Sequence, residues 1–384
     1  MVSSDLGGTA FLCSEDPVCP DGTSCVDGRC VAGVPSADAG GDDASSDLLD
    51  GGAGAFGFRQ QLTIDNAARG ELVDFPLLVA LDATRIDYGA LRPDGADLEF
   101  RDAGGALLPH EVERWDPDGR SIVWVRVPLI DARSADGSIW MYYGDPSARV
   151  AGDPAAVWSS YEAVYHLEGE EDQLADATAR GYDGTSIGAP SEAGLIGLGR
   201  RFDGVGQYID LGTERDFARA APAITAEAWI NPSAVQRGVV FGASVGGAAS
   251  SRIEVRHELE ETVRGGARTQ DVGDIQSALT LATVPVDTWS WIAVVCDFGA
   301  ADVSIYIDGE LAGQATALLF DATTPDTPSA QAVIGADEAL ASDFFAGLID
   351  EVRLAPAAMS ADWVSAQNAS MRDEMVSYGA PESL

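Results

Sequence analysis

From residue 58 onward the chain is dominated by short apolar runs separated by turn-forming residues, and these runs constrain the fold more than any other feature. Phe75–Leu81 is a continuous run of the kind found in buried strands. Ile122–Val127 and Ser138–Tyr143 are rich in β-branched and aromatic residues. No helical periodicity of useful length occurs between residues 57 and 150. This segment is therefore predicted to form a compact all-β domain.

The charge of the chain restricts its partners. Among 384 residues, 62 are acidic and 23 are basic, every basic residue is arginine, and the net charge is −39 at pH 7. Such a surface repels the phosphates of nucleic acids and of anionic membranes. Neutral sugars, cations and other proteins remain as partners, although acidity also keeps a protein soluble without any partner. No apolar run approaches the roughly 18 residues that a transmembrane helix needs.

Four of the five cysteines lie near the N-terminus, in a segment with almost no apolar residue to bury. A segment that cannot build a core needs cross-links. The spacing lacks the Cys-x-x-Cys pair typical of a four-thiolate zinc site, so residues 1–30 are predicted to be a disulfide-rich module. Three connectivities are open, and we favour first-to-third and second-to-fourth among Cys13, Cys19, Cys25 and Cys30.

The remaining N-terminal features indicate an exported protein. Residues 31–56 are mostly Ala, Gly, Asp and Ser, which predicts a flexible acidic linker. Disulfides form in oxidising compartments, so a secreted or outer-cell-surface location is predicted. The first residues have neither the basic nor the apolar segment of an export signal, and that signal is expected to be missing from this sequence. The fifth cysteine, Cys296, is expected to be an inert core residue.

The second half of the chain carries motifs of a known fold. They are Tyr165–Glu168, Arg201–Gly204, Ala226–Ile230, Val303–Glu310 and Phe345–Leu354. With these motifs, residues 157–384 resemble the laminin-G-like branch of the concanavalin A-like jelly-roll superfamily. The resemblance implies a two-sheet sandwich that usually binds a ligand and only sometimes cleaves it, but a fold alone does not name that ligand.

The first β-domain resembles a bacterial family. Leu62–Asn66, Gly95–Asp102, Leu108–Glu111 and Met141–Gly144 occur in the order seen in domain of unknown function 2341, which often precedes laminin-G-like domains and brings no established chemistry. The expected fold is all-β, with two β-sandwich domains, at 57–150 and 157–384, after the disulfide-rich module and the linker. The cysteine frame also resembles short modules that follow lipoprotein signals in myxobacterial surface proteins, which implies a lipid anchor.

Calcium is the cofactor that the jelly-roll resemblance implies. Many members hold a calcium ion between the N-terminal loop and a late strand of the domain, using oxygen ligands. The resemblance implies Asp350 as a ligand, with Asp176 or Asp203 completing the site. The alternative for Asp350 is a turn cap or an ion pair with Arg353, and the sequence leaves both open.

The function expected from these features is non-catalytic recognition of a glycan or protein at the cell surface by the jelly-roll domain. One alternative is a polysaccharide hydrolase or lyase, because Glu258 and Glu260 would share a face if they lay in a strand. Another is a structural spacer. The three histidines, His110, His166 and His257, lie too far apart in sequence to show metal-ligand spacing.

Overall fold

The computed structural model describes residues 56–147, 152–169, 172–245, 251–270 and 274–384, together with the backbone of two short strands nearer the N-terminus. The chain divides into two compact units, Met1–Ala53 and Gly54–Leu384. In the first unit, β1 (Thr23–Val26) and β2 (Arg29–Ala32) form an antiparallel hairpin. The four cysteine side chains and residues 33–55 of the predicted linker lie outside the described residues, so the disulfides and the linker stay predictions.

The second unit begins with an all-β domain, as predicted for residues 57–150. Its strands are β3 (Phe58–Ile64), β4 (Leu72–Leu81), β5 (Glu99–Asp102), β6 (Leu107–Leu108), β7 (His110–Arg114), β8 (Ser121–Ile130) and β9 (Gly137–Tyr143). One sheet contains β3, β9, β5 and β6, and the other has the order β4-β8-β7. Along β9, Ile139, Met141 and Tyr143 are buried while the residues between them are half-buried, which is the alternation of a strand with one face on a core.

The end of the chain returns to this first domain. Strands β26 (Val376–Tyr378) and β27 (Glu382–Ser383) both pair with β3. The preceding helix, α2 (Ala361–Met371), packs Trp363 against Phe75 in a T-shaped arrangement. The structure therefore differs from the predicted boundary of 157–384, because apolar side chains near the C-terminus complete the core of the first domain rather than that of the jelly roll.

After the short helix α1 (Pro154–Val157), the rest of the unit is the predicted jelly roll. Its strands are β10 (Ala163–Tyr165), β11 (Gln173–Leu174), β12 (Gly184–Ile187), β13 (Ser191–Ala193), β14 (Leu198–Asp203), β15 (Tyr208–Gly212), β16 (Ala223–Pro232), β17 (Gly238–Val245), β18 (Ser251–His257), β19 (Val263–Ala267), β20 (Gln276–Leu279), β21 (Ser290–Asp297), β22 (Asp302–Ile307), β23 (Glu310–Ala315), β24 (Ser329–Ile334) and β25 (Ala346–Ala355).

These strands form two sheets that enclose a common core. One sheet has the order β13-β14-β25-β16-β21-β22-β23, with β10 also paired to β25, and the other has the order β11-β12-β15-β24-β17-β18-β19-β20. Ile224, Ala226, Ala228 and Ile230 of β16 alternate into the core between the sheets. Cys296 lies fully buried in the same core as a free thiol, which confirms that prediction.

The outer face of the β16-containing sheet is covered by the first domain. Trp229 of β16 and Trp291 of β21 point away from the jelly-roll core and share an apolar layer with Leu78 and Trp124 of the first domain. We call this sheet the domain-facing sheet and the other one the outer sheet. Among the residues that the structure describes, no helix is long and apolar enough to cross a membrane.

Candidate functional site

Charged side chains meet in the layer between the two domains. Glu111 and Glu113 come from β7, His166 directly follows β10, and Glu351 and Arg353 come from β25. Glu351 and Arg353 are fully buried, and the His166 side chain is only 9% exposed. Buried charges persist only when they are paired and hydrogen-bonded, so this group is either a structural network or a site.

Two β-bulges aim the carboxylates into this layer. The register between β7 and β8 shifts between Val112 and Arg114, which makes Glu113 the extra residue. The register between β16 and β25 also shifts, because two steps on β16 correspond to three on β25, and Glu351 has a left-handed φ of 52°. A bulge inserts a residue, interrupts strict alternation and re-aims side chains, and bulges are over-represented beside functional sites.

His166 stands at the centre of three carboxylates. Its Nδ1 lies 2.8 Å from Glu351 Oε1 and 3.3 Å from Glu113 Oε2, and its Nε2 lies 3.3 Å from Glu111 Oε2. Burial alone would lower the pKa of His166, but the negative charges of the three glutamates raise it well above its ordinary value. Both ring nitrogens can therefore carry protons and donate to carboxylates.

The surroundings shift the pKa values of Glu113 and Glu351 in opposite directions. Burial, together with the nearby charge of Glu351, raises the pKa of Glu113. Burial also acts to raise the pKa of Glu351, but His166 and Arg353 outweigh it and hold that pKa below its usual range. Glu351 is therefore the carboxylate that keeps its charge, while Glu113 readily holds a proton.

Aromatic residues and Arg353 hold the network in place. The Arg353 guanidinium lies 4.4 Å from the ring centre of Trp124 and 4.6 Å from that of Trp158. It donates to Glu351 Oε2 through Nη2 at 2.5 Å and through Nε at 3.1 Å. The indole nitrogens of the two tryptophans donate to the carboxylates of β7, Trp124 to Glu113 at 2.6 Å and Trp158 to Glu111 at 2.5 Å.

A cleft of about 440 Å³ opens beside this network, between β7, α1 and the segment that follows β10. Its polar lining residues are Glu111, Glu113, His166, Glu168, Asp176 and Thr178. Its walls are otherwise apolar and include Val112, Pro154, Leu167 and Leu174. A concave, largely apolar space with a few convergent polar groups is the usual form of a ligand site.

The structure places the three predicted calcium ligands in separate settings. Asp350 is fully buried and accepts the N–H groups of Leu195 and Ile196, both at 2.9 Å, so it caps the turn after β13 rather than pairing with Arg353. Asp176 accepts backbone N–H groups from Val164 of β10 and from Thr178 and Tyr182 of its own loop. Asp203 accepts backbone N–H groups of the exposed turn that follows it. Calcium binding at these aspartates stays a prediction.

Within the described part of the chain, one group of His, Cys, Asp or Glu residues offers three ligand atoms within 4.8 Å of one another: Glu113, His166 and Glu351. Sequence reasoning missed this group because its members are far apart along the chain. The sequence does contain one indication of this group, because Leu348–Leu354 has charged residues among the apolar residues of a strand. Charges are costly to bury and therefore need partners.

The acidic residues proposed for the hydrolase alternative do not share a strand face. Strand β18 ends at His257, and Glu258 begins a turn that closes through hydrogen bonds to Thr262 and Glu261. Glu258 also forms an ion pair with Arg256 at 2.8 Å. Glu258 therefore belongs to a surface ion-pair network, and Glu260 is an exposed residue of the turn, so the two do not form an acid pair on a strand.

Comparison with known families agrees with the order of the two domains. Residues 94–179 match the model of domain of unknown function 2341, and residues 203–365 match the laminin-G-type model described as the concanavalin A-like lectin/glucanases superfamily. The first match extends past the predicted domain boundary and includes both β7 and His166. The chain thus carries a domain of the first family followed by one of the second. No curated protein matches the chain.

Several solved structures resemble the fold at low identity. Domain 4 of AbnA, an extracellular arabinanase of Geobacillus stearothermophilus solved with arabinotriose, is 18% identical, covering 54% of this chain and 97% of its own, with a TM-score of 0.39. The CBM40 domain of the Ruminococcus gnavus IT-sialidase, solved with sialyllactose, is 16% identical, covering 44% and 96%, with a TM-score of 0.38. Trypanosoma rangeli sialidase is 14% identical, covering 67% of this chain and 42% of its own, with a TM-score of 0.44.

Proposed function

We propose that this chain is a non-catalytic, exported surface protein that recognises a neutral glycan in the cleft between its two β-domains. The observation that carries the proposal is the cleft itself, about 440 Å³ in volume, where carboxylates of both domains converge between apolar walls. Its size lies within the roughly 300–1,000 Å³ range of ligand pockets.

The chemistry of the cleft suits a ligand rich in hydroxyl groups. Ionised carboxylates are hydrogen-bond acceptors only, so they bind groups that donate, as sugar hydroxyls do. Glu111 and Glu168 offer such acceptors, and the partly exposed Val112 and Pro154 can contact the C–H faces of a sugar ring. The net charge of −39 disfavours sulfated or carboxylated glycans and leaves neutral ones.

The broad faces of the jelly roll are poorer binding surfaces. The first domain covers the domain-facing sheet, and on the outer sheet Arg256 is already paired with Glu254 and Glu258, at 3.1 and 2.8 Å. Every described Trp, Tyr and Phe side chain is either buried or only partly exposed. The described surface therefore lacks an open aromatic platform on which a sugar ring could stack. Recognition in the cleft therefore fits the chain better than recognition on a sheet face.

The test is a screen of the full chain against an array of neutral and anionic glycans, with a variant that fills the cleft. Ala175 lines the cleft and is exposed, so Ala175→Trp should block the ligand without burying the new side chain. Ala322 is exposed and lies outside the cleft lining, so Ala322→Trp is the matched control. We expect neutral hits that Ala175→Trp loses and Ala322→Trp keeps. Hits unaffected by Ala175→Trp would refute binding in the cleft.

A polysaccharide hydrolase or lyase is the second candidate, because Glu111 and Glu113 open into one cleft and paired carboxylates are the machinery of glycoside hydrolysis. The contacts of both carboxylates with tryptophan N–H groups and with His166 favour a structural role instead. Release of shorter products from a bound glycan would support the enzyme, and intact glycan after prolonged incubation would support binding alone. A glycan array without hits would favour the third possibility, a structural spacer.

A further inference from the structure

The group formed by Glu113, His166 and Glu351 has the composition of a metal site. One nitrogen and two carboxylate oxygens, one atom from each residue, lie within 4.8 Å of one another. A cation among them could reach the roughly 2.0–2.2 Å bonds that zinc forms with histidine nitrogen and carboxylate oxygen after small side-chain rotations. The two β-bulges at Glu113 and Glu351 are what bring these carboxylates to the same histidine.

His166 and Glu351 are each oriented through an atom other than the one that they would offer to a metal ion. His166 Nε2 faces Glu111 at 3.3 Å, which leaves Nδ1 toward the carboxylates. Glu351 Oε2 is held by Arg353, which leaves Oε1 at 2.8 Å from Nδ1. Outer contacts of this kind, in particular a carboxylate that accepts from the second ring nitrogen of a histidine ligand, orient ligands in metalloproteins.

One atom of the group has no partner. The Glu113 side chain is only 1% exposed, its Oε2 accepts from Trp124 at 2.6 Å, and its Oε1 is buried without any hydrogen-bond partner. A buried carboxylate oxygen left unpaired costs free energy, and native structures rarely keep such an atom without a reason. A cation bound by Glu113 through this oxygen would satisfy it.

We propose that Glu113, His166 and Glu351 bind a divalent transition-metal ion, zinc in the first instance, at the inner end of the cleft. The imidazole ligand and the small number of ligands favour zinc over calcium, which takes six to eight oxygens. Three protein ligands leave a fourth position, and because Glu113 and His166 line the cleft, that position faces it. This inference does not depend on the identity of the cleft ligand.

The experiment measures zinc bound by the full chain. Accessible thiols are alkylated first, so that the N-terminal cysteines cannot supply thiolates. Zinc is removed with chelator, returned by titration calorimetry, and counted by mass spectrometry of the metal after dialysis. We expect about one equivalent per chain. Calcium, titrated in parallel, should not compete for it.

The variants His166→Gln and Glu113→Gln should no longer bind this equivalent of zinc. Mutation of a residue that only orients a metal ligand lowers metal affinity by roughly 10–100-fold, and loss of a ligand itself should lower it further. The control variant His110→Gln removes a different buried histidine, the first residue of β7, and should still bind one equivalent of zinc. Melting curves without metal establish that the variants are folded. Because the chain has three histidines, nitrogen NMR of wild-type protein gives a reading that needs no folded variant, and zinc should shift the ring signals of one histidine.

Two results would overturn the proposal. The first is wild-type protein that retains no zinc after dialysis and shows no shifted histidine signal. The second is a folded His166→Gln variant that binds zinc as wild type does. Loss of glycan binding with zinc binding intact would instead count against the proposed function alone.

Discussion

Glu227 offers a sharp test of how charge is buried between the two domains. It lies in the middle of β16, is 3% exposed, and neither of its carboxylate oxygens has a hydrogen-bond partner. Its neighbours Ala226 and Ala228 face the jelly-roll core, so Glu227 faces the first domain with Trp229. Burial raises the pKa of Glu227 to about 7, although Arg353 acts to lower it and Glu351 adds to the rise.

The sign of the effect follows from the raised pKa. The unfolded chain releases the Glu227 proton near pH 4.5, whereas the folded chain keeps it until about pH 7. The contribution of protonated Glu227 to the free energy of unfolding is therefore complete below pH 4.5 and is lost as the pH rises through 7. At 1.36 kcal/mol per pH unit, the difference amounts to about 3 kcal/mol of unfolding free energy.

We expect Glu227→Gln, which is neutral at every pH, to be more stable than wild type by up to about 3 kcal/mol at pH 8 and to lose that advantage at pH 4. Urea unfolding of both proteins from pH 4 to pH 8, with chelator present, gives the difference directly. The contributions of the other titrating groups cancel in the difference between the two unfolding free energies, because both proteins contain those groups.

The matched control is Glu192→Gln on the surface. Glu192 pairs with Arg201 at 2.6 Å, and this hydrogen bond lowers its pKa, so its contribution is present at neutral pH and lost in acid. Exposed pairs contribute about 0–1 kcal/mol, so the control should be slightly destabilised at pH 8. A Glu227→Gln variant whose stability relative to wild type does not change with pH, or falls at pH 8, would mean that Glu227 is ionised in the fold.

Three further predictions concern the ends of the molecule and the calcium hypothesis. Deletion of residues 375–384 removes β26 and β27, so amide exchange across β3 should accelerate. Deletion of Leu384 alone removes one hydrogen bond, to Gly57 O before β3, and should leave the exchange across β3 almost unchanged. If calcium binds at Asp350, chelator should lower the melting temperature and Asp350→Asn should abolish the response. Saturation at a hundredfold excess stabilises by about 2.7 kcal/mol, and unchanged curves would leave Asp350 as a turn cap. Oxidised protein should carry four fewer thiol hydrogens than reduced protein, and four alkylatable thiols would rule out the N-terminal disulfides.

The sequence alone determined the class of fold and the order of the two β-domains. Strand runs such as Phe75–Leu81 show the composition of buried strands directly, because a strand covered on both faces needs apolar side chains at successive positions. The burial of Cys296 followed from the same local pattern. These features depend on neighbours along the chain, and a single sequence contains all of them.

The cluster around His166 and the return of the C-terminus to β3 were decided by tertiary structure. His166 and Glu351 are 185 residues apart, and a bulge helps to aim Glu351 into the layer between the domains. The last strands pair with β3 through main-chain hydrogen bonds, which almost any side chains allow. Contacts between distant segments depend on how whole sheets pack against each other, and local periodicity carries no record of that packing.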